Sequence, residues 1–173
     1  MVFGIMINDK VLSQKFHQII EQNKGVLFKV AKTYCRNDDR QDLIQEMMIQ
    51  VWKSLPKYND TFAITTWLYR ICLNVAISFY RKSEKRQNFN VPLVEELTSI
   101  REEESNQKQE QLSLLEKFIS VLDDLDKALM LLYLEDKSYA EMSEIMGLSV
   151  SNVGTKLGRI KEKLKKKFSQ FTS

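Results

Sequence analysis

The sequence predicts an all-α protein built as two small helical domains joined by a polar acidic linker, and three observations carry that expectation. Only five Gly and two Pro occur in 173 residues, too few for an all-β sandwich or barrel, which needs turn residues often. Apolar residues recur at helical spacing on both sides of residues 84–110. That middle stretch has no sustained apolar period and carries Val91-Pro92, Glu102-Glu103-Glu104 and many Gln, Asn and Ser. The expected division is therefore 1–83, 84–110 and 111–173. With 43% hydrophobic residues, a chain of this length buries roughly 70% of its unfolded surface and needs neither disulfides nor a structural metal.

In the first domain, Phe16, Ile19 and Ile20, then Leu27, Val30, Ala31 and Tyr34, mark two helical stretches with a break at Lys24-Gly25. A third helix is expected from near Asp39 to Pro56. Its apolar side is Leu43, Ile44, Met47, Met48, Val51 and Trp52, which leaves Asp42, Gln45, Glu46, Gln50 and Lys53 outside. A fourth runs from about Ile64 to Lys82, with Ile64, Leu68, Ile71, Cys72, Val75 and Phe79 inward and Arg70, Asn74, Arg81 and Lys82 outward. Between the two lies a polar, aromatic loop, Lys57-Tyr58-Asn59-Asp60-Thr61-Phe62.

After the linker, helices are expected over about Gln109 to Val121 and Leu125 to Glu135. Ser138-Tyr139-Ala140-Glu141 is a capping box, the serine accepting from the N3 amide while the glutamate reaches back. It opens a short helix whose apolar side is Ala140, Ile145 and Met146. Gly147-Leu148-Ser149 makes a tight turn with Gly where a positive φ is needed. Ser149 then caps a last helix with Val153, Leu157, Ile160 and Leu164 inward. This is a helix-turn-helix pattern.

Charge is distributed unevenly. Residues 1–86 hold fourteen Lys/Arg against eight Asp/Glu, a net +6; residues 87–126 hold three against ten, a net −7; residues 137–173 hold eight against three, a net +5. The middle is either a solvated spacer or an anionic segment that mimics nucleic acid and shields the basic ends. Opposite charges attract over about the 8 Å Debye length, so the free chain is expected to draw its domains together around the acidic middle. The two cysteines, Cys35 and Cys72, lie in apolar helical stretches without a metal-ligand spacing and read as buried free thiols in a reducing cytoplasm. Met1 to Ile7 falls short of a signal peptide, and no apolar run approaches the ~20 residues of a membrane span. A cytoplasmic protein without membrane insertion is expected.

Three groups of residues carry chemistry. Asp42 and Glu46 lie one helical turn apart beside Leu43, Gln45 and Gln50. A carboxylate metal site in a helical bundle would need Glu-x-x-His partners, and the sole histidine, His17, has none, so the edge reads as a protein-docking face or a solvated one. Lys57, Tyr58, Asn59 and Phe62, with Trp67, Arg70 and Asn74 on the next helix, interleave aromatic rings and cations as unstacked bases and phosphates require; Trp67 also suits a core anchor. On the last helix Ser151, Thr155 and Arg159 point away from the apolar stripe, flanked by Asn152 and Lys156, with short polar groups first and cations later. That is the arrangement of a recognition helix in the major groove, and Lys161, Lys163, Lys165, Lys166 and Lys167 add charge for the backbone. An enzyme is not expected, for want of a nucleophile–base pair or a Gly-rich phosphate loop, and no cofactor is implied.

In order and spacing, Asp42-Leu43-Ile44-Gln45-Glu46, Thr66-Trp67-Leu68-Tyr69-Arg70-Ile71 with Asn74, Tyr139 to Met146, Gly147-Leu148-Ser149, and Val153-Gly154-Thr155-Lys156-Leu157 with Arg159 resemble bacterial RNA polymerase sigma factors of the sigma-70 family, extracytoplasmic-function (ECF) group, over residues 15–167. The resemblance implies a sigma factor that docks the Asp42 to Glu46 motif on the clamp helices of core RNA polymerase. It implies that the Lys57 to Phe62 loop with Arg70 and Asn74 captures and melts the minus-ten promoter element, and that the helix-turn-helix reads the minus-thirty-five element as duplex. It also admits an anti-sigma factor as a further partner. The alternative, a helix-turn-helix regulator acting without polymerase, requires a ligand pocket, receiver domain or dimerisation helix in the first half, where none is visible. Gly154 and Gly158 depart from a well-formed recognition helix, each costing roughly 1 kcal/mol relative to Ala.

Overall fold

A computed structural model describes residues 2–35, 39–87 and 107–171. Among these residues there are seven α-helices and no strand: α1 (Val2–Tyr34), α2 (Arg40–Ser54), α3 (Ile64–Gln87), α4 (Gln107–Ser120), α5 (Asp124–Leu134), α6 (Tyr139–Met146) and α7 (Val150–Phe171). A short 3-10 turn, Leu55–Lys57, finishes α2 with Pro56 inside it. Residues 88–106, including Val91-Pro92 and Glu102-Glu103-Glu104, lie outside the described residues. Helix occupies both ends of the expected linker, since α3 continues to Gln87 and α4 begins at Gln107. No helix among the described residues is long and apolar enough to cross a membrane.

The break expected at Lys24-Gly25 falls slightly earlier. Asn23 takes φ −126°, ψ 16°, and its side-chain amide donates to the Ile19 carbonyl at 2.9 Å, so a side chain competes with the backbone for a helical acceptor and kinks α1. Leu43, Met47 and Val51 of α2 are fully buried. Trp52 is instead 37% exposed and meets the Phe16 ring edge-on at 5.3 Å. On α6 the buried residues are Met142 and Ile145; Ala140, expected inward, is exposed because it lies about 200° around the helix from Met142. The α7 stripe of Val153, Leu157, Ile160 and Leu164 is buried as its spacing predicts.

Helix α3 departs furthest from a one-sided pattern. Leu68, Tyr69, Cys72, Leu73, Ala76 and Ile77 are buried, whereas Ile64, Ile71, Val75 and Phe79 are only partly covered. The cause is tertiary: α3 packs against α1 and α2 of its own domain and also against α5 and α6 of the second. Burial alone pushes the Cys72 thiol up to about 12, and Cys35 is likewise a buried free thiol.

The two domains meet along a seam in which carboxylates of the second face cations of the first. Glu135 pairs with Lys29, Glu116 with Lys32 at 2.7 Å, and Asp124 with Arg81 at 2.5 Å. Inside this rim Tyr34 donates its hydroxyl to the Asp124 carbonyl, and Tyr69 donates to the Glu135 carboxylate at 3.3 Å. Burial, reinforced by the carboxylates of Asp124 beside Tyr34 and of Glu135 beside Tyr69, raises both phenols above the ordinary tyrosine range, so each stays protonated and able to donate. Lys127, 2% exposed, sits 4.1 Å from the Tyr80 ring centre. Opposite charge thus links the domains through Glu116 and Asp124 of the acidic middle and through Glu135 beyond it; Glu102, Glu103 and Glu104 lie outside the described residues.

Candidate nucleic-acid and docking surfaces

The helix-turn-helix is built by local hydrogen bonds. The Ser138 Oγ accepts from the Glu141 amide at 3.2 Å, and the Glu141 carboxylate accepts from the Ser138 amide at 2.8 Å and from Lys137 Nζ at 3.1 Å. The hydrogen bonds from Ser138, then that from Lys137, hold the Glu141 carboxyl below the usual carboxylate range. Gly147 takes φ 67°, where a Cβ would be strained, and its amide and that of Leu148 both donate to the Ser143 carbonyl at 2.9 and 3.3 Å. Ser149 Oγ accepts from the Asn152 amide at 3.2 Å to cap α7.

On α7, Ser151, Asn152, Thr155 and Arg159 are exposed along one side. Thr155 donates its hydroxyl to the Ser151 carbonyl at 3.0 Å, leaving its oxygen free to accept. Lys156 is half-buried and its charge acts on the Asp126 carboxyl, so it is less free to meet a phosphate than Arg159. Two tail lysines have partners within the second domain: Lys163, still largely exposed, lies 3.9 Å from Asp126, and Lys161 lies 3.7 Å from the Tyr133 ring centre. Gly154 faces Tyr139, whose ring lies 3.5 Å from where a Cβ would stand, and Gly158 faces open space. Neither glycine is demanded by packing.

In the first domain the expected aromatic and cationic residues converge on one cleft of about 290 Å³, lined by Lys57, Tyr58, Asn59, Phe62, Trp67, Arg70 and Asn74, with Ser54, Thr66 and Ile71 between them. Tyr58 and Trp67 stack at 4.7 Å with their planes 39° apart. Trp67 is half-buried, serving as anchor and wall at once. The loop keeps its shape through three devices: Tyr58 donates to the Phe62 carbonyl at 2.7 Å, Asn59 Oδ1 accepts from the Thr61 hydroxyl at 2.7 Å, and Asp60 adopts φ 57°. Two participants have no signal in the sequence. Lys15, from α1, lies 5.4 Å from the Tyr58 ring centre, and Glu144, from α6 of the second domain, forms part of the cleft wall.

A larger groove, about 750 Å³, runs between α2 and α3. Asp42, Gln45, Glu46 and Gln50 line its α2 side, with Asp39 and Ile49. Leu43, expected on this surface, is fully buried and faces the core instead, because it shares the inner side with Met47 and Val51. The apolar floor comes from Ile49, Ile71, Val75 and Phe79, residues the linear pattern assigns elsewhere or not at all. Ile71 and Asn74 line both the groove and the cleft, so the two surfaces adjoin along α3.

Comparison with known proteins follows the same division. A family model for sigma-70 region 2 matches residues 19–86, and one for sigma-70 region 4 matches residues 112–164. The RNA polymerase sigma factor YlaC of Bacillus subtilis is 30% identical over 135 residues, 75% of this chain and 77% of that protein. The ECF RNA polymerase sigma-E factor of Haemophilus influenzae is 25% identical over 163 residues, 88% of this chain and 86% of its own. Among solved structures, the sigma factor RpoE of Bartonella quintana, crystallised in complex with the anti-sigma factor NepR, superposes with a TM-score of 0.66 at 17% identity, covering 91% of this chain and 96% of that one; it shares the fold.

Proposed function

Because the chain belongs to the sigma-70 family of RNA polymerase sigma factors, in its ECF group, we propose that the groove, the cleft and the α7 face divide the work of initiation among them. As a sigma factor the protein binds core RNA polymerase and directs sequence-specific promoter recognition and transcription initiation. In this reading the α2–α3 groove receives the clamp helices of core polymerase. Asp42 and Glu46 offer charge to basic partner residues, and the floor of Ile49, Ile71, Val75 and Phe79 buries apolar side chains.

The cleft takes an unstacked base of the minus-ten element. The Tyr58 and Trp67 rings supply π-faces, worth about 1–3 kcal/mol per stacked base, and Arg70 and Lys57 neutralise flanking phosphates. On α7, Asn152 and Thr155 face the base edges of the minus-thirty-five duplex while Arg159 and the exposed Lys165, Lys166 and Lys167 hold the backbone. The chain contributes binding and strand separation, and bond formation belongs to the polymerase. It acts in the cytoplasm, with polymerase and chromosome, and an anti-sigma factor is the partner that would restrain it. A regulator acting without polymerase is not favoured, since region 2 accounts for most of the first domain.

The observation that carries this reading is the adjacency of groove and cleft, which share Ile71 and Asn74 on α3. A docked polymerase and a captured strand then meet along one helix. The test is co-purification with core polymerase and promoter-dependent transcription by full-length protein. Charge reversal of both Asp42 and Glu46 to Lys is expected to abolish both while leaving far-UV helicity unchanged; undiminished binding overturns the docking assignment.

A further inference from the structure

We propose that the free chain is closed on itself, with Glu144 of the second domain acting as an anionic plug in the cleft of the first. The inference rests on the cleft's role in binding single-stranded DNA. Of the described residues that line the cleft, Glu144 alone comes from the second domain, and it is the only acidic one. It is exposed, so it stands at the opening of the cleft. A carboxylate in the wall of a cleft that also carries Lys57, Arg70 and the Tyr58–Trp67 pair lowers the positive potential offered to phosphate and repels an incoming polyanion.

The seam holds Glu144 in that position. The pairs Lys29–Glu135, Lys32–Glu116 and Arg81–Asp124 are partly or largely exposed and individually weak. They surround a centre of buried Tyr34 and Tyr69, 5% and 3% exposed, each donating across the seam. Such closure is shallow enough for a partner to reverse. The α2–α3 groove, by contrast, is lined by residues 39–83, and no described residue of the second domain enters it. The closed chain therefore offers its docking groove while barring its cleft, which sets an order: polymerase first, domain separation next, single-stranded DNA last.

Fluorescence anisotropy with a labelled, mixed-sequence DNA single strand of about twelve nucleotides, a length within known single-strand site sizes, tests this on the full-length free protein at low ionic strength. Glu144→Gln is expected to bind about two- to fivefold tighter than wild type, the range one partly screened charge supplies. Glu21→Gln, which makes the same charge change on exposed α1, is expected to bind as wild type does. Arg70→Ala in the Glu144→Gln background should remove the gain. Lys29→Glu should enlarge the radius of gyration in small-angle scattering and tighten binding despite its loss of positive charge, and the swap Lys29→Glu with Glu135→Lys should reverse both. Equal affinities for Glu144→Gln, Glu21→Gln and wild type overturn the plug while leaving the cleft assignment standing, provided Arg70→Ala weakens binding. A gain that survives Arg70→Ala overturns the cleft assignment together with the plug.

Discussion

The two regions proposed to bind DNA are built on opposite plans. The α6–α7 unit is assembled from contacts within five residues in sequence: the Ser138/Glu141 box, the Gly147 turn and the Ser149 cap. The cleft of the first domain gathers the end of α2, a loop held by a left-handed Asp60, the start of α3, and a carboxylate from α6. Local construction gives a rigid platform that presents short polar groups to a duplex of fixed shape. Distributed construction gives a cavity whose walls belong to parts that can separate, which suits a strand that must first be unstacked.

The largest effect that probes this contrast is in the core. Leu157→Ala, at a fully buried α7 position, is expected to cost about 2–5 kcal/mol, measured by urea unfolding. If the first domain keeps its stability in that variant, the seam is as shallow as its exposed pairs imply; a matching loss in both domains would make them one cooperative unit. Next in size, Phe62→Ala removes an exposed ring at the cleft edge and is expected to reduce promoter opening by holoenzyme by about 1–3 kcal/mol, with duplex binding by α7 unchanged. Asn152→Ala is expected to alter base preference at one position of the minus-thirty-five element, by about 1–3 kcal/mol if the contact is bidentate. Arg159→Ala should weaken all sequences alike and flatten the salt dependence. Identical sequence profiles for the two variants would remove the division between base reading and phosphate holding.

Smaller effects test the local plan. Ser138→Ala is expected to cost about 1 kcal/mol by thermal or chemical unfolding. The Glu141 carboxyl titrates below its unfolded value, so its contribution is present at neutral pH and is lost as pH falls through the carboxylate range toward the folded value. The difference between wild type and Ser138→Ala should therefore shrink in acid. At the low end, Gly158→Ala, in open space on α7, should stabilise by up to about 1 kcal/mol, whereas Gly147→Ala should destabilise because of its positive φ. Stabilisation at both sites would show that the turn does not depend on its left-handed residue.

The contrast also explains which features are legible in the amino-acid sequence. Caps and the α7 stripe obey rules that operate over one or two turns, so their residues can be named from spacing alone. The α1 kink lies at Asn23 because a side-chain amide takes a helical carbonyl, an event that breaker residues do not signal. Leu43 sits between the carboxylates of Asp42 and Glu46 in the chain, yet its spacing with Met47 and Val51 turns it inward, so adjacency in sequence is a poor guide to membership of the proposed docking edge. The groove floor of Ile49, Ile71, Val75 and Phe79 and the role of Glu144 have no local signal, since each requires two helices to be brought side by side.

Four features are written in the linear chain: the all-helical class, the capped helix-turn-helix, the polar outer face of α7 and the set of aromatic and cationic residues that meet in the cleft. Each follows from hydrophobic period, capping chemistry or short-range charge, which act along a single stretch of chain. Packing in three dimensions adds that α3 is covered on two sides, that Glu116, Asp124 and Glu135 pair with cations of the first domain, and that Glu144 lines the cleft. Burial and ion pairing between distant residues depend on which surfaces meet. Periodicity shows that a helix has an apolar side, and only the packed partner shows what covers it.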